Sequence, residues 1–141
     1  MKLIAIFLVL CASTAAAGPQ SDALLGRFWL PEKDGQLEIY RQGDSYSGRV
    51  VSYDVAGQLD EKNPEPELRS RPIVGLDLLS GFRFDEKAGR WEGGTIYDAK
   101  SGKTYQCRLW FDEDDFGVLR ARGYIGISIL GRTEQFIRVV E

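Results

Sequence analysis

Short runs in which apolar and polar residues alternate make up most of the chain after residue 17. Leu37 and Ile39 alternate with Glu38 and Tyr40, and a polar turn at 42–45 then leads into a second alternating run, 46–53. A period of two is typical of strands that bury one face, because successive side chains point to opposite faces. The two runs and their turn therefore predict a β-hairpin.

Five later runs and one earlier run show the same pattern, separated by glycine and aspartate clusters: 24–30, 78–84, 90–97, 104–111, 116–124 and 132–140. No apolar spacing of the helical kind extends beyond two turns. The sequence therefore predicts an all-β chain of about eight strands joined mainly by short turns. Consecutive hairpins with one apolar face per strand can close into a single antiparallel up-and-down β-barrel, which removes exposed sheet edges.

The alternation is interrupted by a long polar segment, 54–72, which contains prolines and cannot be a central strand. We interpret it as a loop with room for one helical turn. A connection of this length without strands of its own is often functional, so the loop is a candidate lid for one mouth of the barrel.

The first 17 residues have the features of a secretory signal peptide. Lys2 gives a positive start, an apolar run at 3–12 is too short to span a bilayer, and Ala15, Ala16 and Ala17 form a cleavage site. The expected domain organisation is a cleaved signal at 1–17 and a barrel domain at 18–141. We expect the mature chain to be periplasmic or secreted, without a membrane anchor.

Loss of Cys11 with the signal would leave Cys107 as the sole thiol, so no internal disulfide is expected. Cys107 lies in the apolar half of an alternating run, which favours a buried small hydrophobe over a reactive thiol.

The composition narrows the classes of function. The chain has no histidine, which excludes Ser-His-Asp and Cys-His nucleophile systems and most zinc sites. Its formal net charge is −3. The acidic turn at 112–115 lacks oxygen ligands at the later positions of a calcium loop. We expect no metal, no cofactor and no nucleic-acid partner, and the oligomeric state stays open.

Two residues are predicted to have a structural role. Trp29 lies in the first strand and Arg138 near the end of the last, and these strands become neighbours when a barrel closes. A guanidinium stacked on an indole would then plug one end of the barrel.

Aromatic residues and arginines in the later strands are candidates for ligand contact. A small-ligand pocket is largely apolar with a few placed polar groups. Aromatic side chains in these strands could either fill the barrel interior or line a ligand pocket: Trp91, Tyr97, Tyr105, Trp110 and Tyr124. Arg108 shares a face with polar residues and is expected to point outward. The sequence does not decide which face of their strand Arg120 and Arg122 occupy. If either arginine points inward, it would suit a ligand carboxylate.

The motifs resemble those of the domain of unknown function 2147 family, small exported bacterial proteins. They are Asn-Pro-Glu-Pro at 63–66, Trp-Glu-Gly-Gly-Thr-Ile-Tyr-Asp at 91–98, Gly-Lys-Thr-Tyr at 102–105, and Arg-Gly-Tyr-Ile-Gly at 122–126 followed by Leu-Gly-Arg at 130–132. The resemblance implies a lipocalin-like β-barrel without an established enzymatic activity. It departs from many relatives at Gln42 and Ser47, where they carry cysteines, so a disulfide common in the family is absent here.

Three classes of function follow from these observations. The first is a non-enzymatic exported protein that binds a small apolar or amphipathic ligand inside the barrel. The second is a structural or interaction module of the cell envelope with a filled barrel. The third, a carboxylate-based hydrolase using Glu92, Asp98 or the acids at 112–115, needs two acids at a defined separation, which the sequence does not establish. An internal cavity would favour the first class.

Overall fold

The computed structural model describes residues 20–113, 115–124 and 131–140. The predicted signal peptide at 1–17 therefore lies outside the described residues. Eight strands account for most of the described chain: β1 (Gly26–Trp29), β2 (Gly35–Gln42), β3 (Ser45–Tyr53), β4 (Asp77–Asp85), β5 (Arg90–Asp98), β6 (Lys103–Phe111), β7 (Val118–Tyr124) and β8 (Arg132–Ile137). The other regular elements of the described residues are two short 3₁₀ helices, Gln20–Leu24 and Pro66–Leu68.

Each strand pairs antiparallel with the next in chain order, which confirms the up-and-down arrangement. The ends of this sheet meet where Phe28 of β1 forms a bridge with Arg138, just after β8. The backbone N–H of Val139 also donates to the carbonyl of Arg27 at 2.9 Å. The eight strands therefore form a nearly closed barrel.

Because the strands run alternately up and down, the connections fall at two ends. The closed end carries the first 3₁₀ helix and the three turns 42–45, 85–90 and 111–118. The open end carries the β1–β2 and β5–β6 turns, the long β3–β4 connection and the boundary residues of the β7–β8 connection, Tyr124 and Gly131.

The closed half of the barrel is packed with apolar side chains. Leu37 and Ile39 of β2 are buried as their alternation predicts, and Cys107 of β6 is free and fully buried. Burial raises the pKa of the Cys107 thiol to about 12, which leaves it protonated at neutral pH and confirms its role as a small hydrophobe.

Strand β5 contains a β-bulge at Gly93. Its φ of +75° is a conformation that favours glycine, and the pairing register with β6 shifts between Trp91 and Gly94. A Cβ at Gly94 would lie 2.5 Å from the ring of Phe82, so Gly94 also faces the interior. The bulge therefore lets Trp91 and Gly94, three positions apart, face the same side of the sheet.

Arg138 lies at the closed end, where the aromatic ring beneath it is that of Phe28 and not that of Trp29. The guanidinium carbon lies 4.5 Å from the centre of the Phe28 ring. Phe28 is fully buried, and Trp29, the next residue along β1, belongs to the opposite face of the strand. The expectation of a Trp29–Arg138 stack is therefore corrected to a Phe28–Arg138 stack.

Three backbone carbonyls accept hydrogen bonds from the Arg138 guanidinium. They belong to Ala23 (2.7 Å), Phe116 (2.8 Å) and Leu25 (2.9 Å). Burial lowers the pKa of Arg138 from its ordinary value, but an arginine stays charged at physiological pH. Arg138 thus ties the chain before β1 and the β6–β7 turn to the end of β8.

Candidate ligand cavity

The open half of the barrel contains a cavity of about 870 Å³. Its inner wall is largely apolar and aromatic, and its volume falls within the range typical of small-molecule pockets. Side chains from the strands, the β1–β2 turn and the long connection form this wall: Leu30, Tyr53, Leu59, Ile73, Leu78, Ile96, Tyr105, Ala121 and Phe136.

Three of the predicted ligand-contact residues border the cavity: Tyr97, Tyr105 and Tyr124. Tyr105 lies opposite Ile96 on the inward faces of β5 and β6. Tyr124 borders the cavity at the end of β7, with its ring 5.2 Å from the guanidinium carbon of Arg108. These positions are compatible with ligand contact, which stays a prediction for all three.

Trp91 is part of the closed-end core and does not line the cavity. Its ring packs 5.0 Å from the ring of Phe84 and edge-on at 5.7 Å from that of Phe111, measured between centres. The indole N–H donates to the carbonyl of Ser21 at 3.1 Å. Trp91 is therefore a packing residue, and its expected role as a ligand contact is corrected.

Arg120 and Arg122 lie on the outer face of β7, because Leu119 and Ala121, which alternate with them, are buried. Arg120 forms an ion pair with Asp112, and Arg122 donates to the Thr133 hydroxyl at 3.3 Å. The expectation that either arginine faces a ligand inside the barrel is thus wrong.

Arg108 also points outward, as its strand pattern predicted, and pairs across the sheet with Arg122. The two arginines border a shallow outer pocket of about 280 Å³ together with Arg90 and Trp110.

A buried carboxylate that the sequence did not single out anchors the long connection. Asp60 is fully buried. Its Oδ1 accepts a hydrogen bond from the Tyr97 hydroxyl at 2.5 Å, and its Oδ2 accepts from Asn63 Nδ2 at 2.9 Å and from Arg71 Nε at 3.1 Å. We call this arrangement of Asp60, Asn63, Arg71 and Tyr97 the Asp60 clasp.

Burial is the main reason that the pKa of Tyr97 rises to about 12, and the hydrogen bond to Asp60 adds to the effect. The hydroxyl therefore remains a donor across the physiological pH range. Because a buried carboxylate needs several donors, the clasp accounts for the otherwise unfavourable burial of Asp60.

The predicted loop at 54–72 is present and contains the expected single helical turn, Pro66–Leu68. Leu59 bridges Pro72, and the backbone N–H of Asp60 donates to the carbonyl of Arg71 at 2.9 Å. A Cβ at Gly102 would lie 1.9 Å from the carbonyl oxygen of Lys62, so the β5–β6 turn packs directly against the loop. The loop is a fixed part of the rim, held by the Asp60 clasp.

Charged side chains surround the cavity mouth. Lys100 forms ion pairs with Glu32 and, at 3.4 Å, with Asp34. Arg132 forms one with Glu134. Burial raises the pKa of Tyr53, with a further contribution from Asp34.

Residues 20–113, 115–124 and 131–140 contain no group of three or more acidic, cysteine or histidine side chains placed to hold a metal ion. The same residues contain no helix of the length and apolar character needed to cross a bilayer.

Comparisons with known proteins agree with this architecture. A solved structure of a protein from the human pathogen Helicobacter pylori, described as belonging to the lipocalin family, superposes with a TM-score of 0.69. It shares 26% sequence identity, and the match covers 84% of each chain. A comparison with curated proteins finds no match.

A family model described as an uncharacterized protein conserved in bacteria, DUF2147, matches residues 26–138, from the start of β1 to the arginine that seals the closed end. Two of the motifs behind the resemblance also meet in space, since the Asp60 clasp joins Asn63 to Tyr97. Lys62, which precedes the first motif, packs against Gly102 of the third. The chain therefore belongs to the DUF2147 family and has a lipocalin-like β-barrel fold.

Proposed function

We propose that this protein is an exported, non-enzymatic carrier that binds a small apolar or amphipathic molecule in the open half of its barrel. The observation that carries the proposal is the cavity of about 870 Å³ with a mainly apolar and aromatic inner wall. A lipocalin-like barrel of eight strands has room for one small ligand. The alternative of an envelope module with a filled barrel requires a packed interior, which the cavity does not favour.

The geometry supports binding in two ways. Apolar atoms of a ligand would move out of water and contact residues such as Ile73, Ile96 and Phe136. Burial of this apolar surface stabilises the complex by the hydrophobic effect. The rim is also fixed before binding, because the Asp60 clasp holds the loop. A preformed site loses less conformational freedom when the ligand enters.

Export is proposed from the amino-terminal pattern at 1–17. Sequencing the amino terminus of the protein recovered from its own host tests this part, and we expect the chain to begin near Gly18. An intact Met1, or a lipid on Cys11, would contradict it.

Binding is tested by a thermal-shift and fluorescence screen of fatty acids, isoprenoids and peptidoglycan fragments, with native mass spectrometry of protein purified from its host. A ligand at about one hundred times its Kd adds about 2.7 kcal/mol to the free energy of unfolding, which is a shift of several degrees. If no compound shifts the transition and no molecule co-purifies, the interaction module becomes the better account.

A matched pair of variants locates the site. Gly123 faces the cavity, where an added Cβ would lie 3.4 Å from Tyr105 Cβ, so Gly123→Leu should fill part of the cavity and weaken binding. Gln135→Leu adds a leucine to the exposed outer face of neighbouring β8 and should leave binding unchanged. Circular dichroism would show that both variants are folded.

A further inference from the structure

We propose that the cavity prefers amphiphiles with a cationic head group over amphiphiles of the same chain length with a neutral or carboxylate head. This inference rests on the proposed carrier function and names the ligand class for the same site. It follows from the balance of charge at the cavity mouth, from the pairing of the lining bases Arg132 and Lys100 with carboxylates, and from the tyrosines that border the cavity.

Acidic side chains outnumber basic ones around the cavity. The charged residues that line it in the described part of the chain are five acids and three bases, a net charge of −2: Glu32, Asp34, Glu61, Asp98 and Glu134 against Lys62, Lys100 and Arg132. The connection at 125–130, which joins two rim strands, contains no charged residue in its sequence. The sequence of that segment therefore does not alter the balance.

Two of the three bases are already engaged by carboxylates. Lys100 contacts both Glu32 and Asp34, and Arg132 contacts Glu134. No ion pair takes up Glu61 or Asp98 among the residues that the structure describes. A cationic head at the mouth would thus meet a surplus of negative charge, whereas a carboxylate would be repelled.

The strands that line the cavity offer a carboxylate ligand no unpaired cation, and Lys62, which has no ion pair among the described residues, lies next to Glu61 on the loop. Arg120 and Arg122, the strand arginines that would suit such a ligand, lie on the outer face of β7. Arg132 borders the mouth, but its side chain is 84% exposed and paired with Glu134. The carboxylate of a fatty acid would therefore lose its hydrogen bonds to water at this site without gaining a bidentate arginine partner.

The tyrosines favour a cation for a separate reason. Tyr53, Tyr97 and Tyr105 all border the cavity, and the faces of aromatic rings attract ammonium groups, more strongly where water is excluded. Acidic side chains next to aromatic walls are the features by which proteins bind ammonium groups.

The test compares three probes of equal chain length below their micelle concentrations: decyltrimethylammonium, decanol and decanoate. Titration into the purified protein, followed by calorimetry or intrinsic fluorescence, should give a Kd for the cation about tenfold lower than for decanoate, with decanol between them. The preference should shrink as salt is raised, because the Debye length falls to about 3 Å at 1 M.

A pair of charge reversals separates local from global charge. Glu61→Lys would change the net charge of the mouth from −2 to 0 and should weaken the preference for the cation by about fivefold. Glu86→Lys makes the same change in total charge at an exposed turn of the closed end and should leave the preference unchanged.

The outcomes distinguish the two proposals. If the cation binds best and Glu61→Lys, but not Glu86→Lys, reduces its advantage, the inference holds. If decanol binds as tightly as the cation, or decanoate binds more tightly, the inference is wrong while the carrier function stands. If none of the three probes binds, the carrier function fails, and the inference fails with it.

Discussion

The two ends of the barrel use the same eight strands but are filled differently. At the closed end, Trp91, Phe28 and Phe111 pack together under the Arg138 guanidinium. At the open end, the same strands surround a cavity whose rim is held by polar contacts. We therefore expect the packed closed end to contribute more to stability than the open end, where the strands surround the cavity.

Truncating one aromatic residue at each end should give the largest contrast. Trp91→Ala removes a fully packed ring and should reduce the free energy of unfolding by about 3–5 kcal/mol. Tyr105→Ala enlarges an existing cavity and should cost about 1 kcal/mol. Urea denaturation measures both values, and equal losses would contradict the proposed division between the ends.

A double-mutant cycle should show that Arg138 is coupled to Phe28. Arg138→Met leaves three carbonyls without their donor and should cost about 2–4 kcal/mol. Combined with Phe28→Leu, the coupling energy should exceed about 0.5 kcal/mol. The control cycle pairs Arg138→Met with Trp29→Leu and should be additive; coupling in the control cycle alone would restore the sequence-based expectation.

Breaking the Asp60 clasp should have a smaller and more local effect. Asp60→Asn weakens the interactions with Tyr97 and Arg71, and we expect a cost of about 1–3 kcal/mol. Hydrogen exchange should accelerate at 54–72 while the closed-end strands keep their protection. The exposed neighbour supplies the control, since Glu61→Gln should change stability by less than about 0.5 kcal/mol. Uniform acceleration throughout the barrel would show that the clasp supports the whole fold.

The smallest expected effect is a pH dependence at the open end. The pKa of Tyr97 is raised from 10.0 to about 12 in the folded state, so its stabilisation is fully present below pH 10 and is lost as pH rises towards 12. The stability difference between wild type and Tyr97→Phe should therefore narrow over that interval. Urea denaturation at several pH values measures it, and a constant difference would contradict the assignment.

The sequence predicted the strands well because period-two alternation reports burial directly. The runs around Leu37 and Cys107 became strands with the expected inward residues, and the run at 78–84 became β4. The sequence also predicted an arginine at the seam, but it did not identify the correct aromatic partner. Either Phe28 or Trp29 was chemically suitable, and their positions on opposite faces of β1 decided between them.

The faces of β7 were ambiguous for an identifiable reason. Phe116 and Val118 are separated from Arg120 by even numbers of positions, so in a continuous strand they would share its face and make that face look apolar. In the structure β7 begins at Val118, and Phe116 belongs to the preceding turn, where its ring lies 5.3 Å from that of Phe111. Side chains alternate between faces only within a continuous strand, so Phe116, which lies in the turn, does not indicate the face of Arg120.

The Asp60 clasp could not be predicted because three of its members lie in a segment with the composition of a solvated loop, and the fourth, Tyr97, is distant in sequence. Burial of Asp60 depends on a donor from β5, which no local pattern reveals. The motifs at 63–66 and 91–98 were the available signal, and they identified the family without showing that the two segments touch.

The bulge at Gly93 has a consequence for how the barrel can change. One extra residue in β5 interrupts the alternation of side chains between the two faces. Trp91 and Ile96 therefore both contribute to the interior, although they are five positions apart and would lie on opposite faces of a regular strand. Deleting Gly93 would restore a single phase and exchange the faces of Ile96 and Tyr97. Ile96 would then leave the inner wall of the cavity and the Asp60 carboxylate would lose its Tyr97 partner, so one deleted glycine would alter both the wall of the cavity and the anchor of its rim.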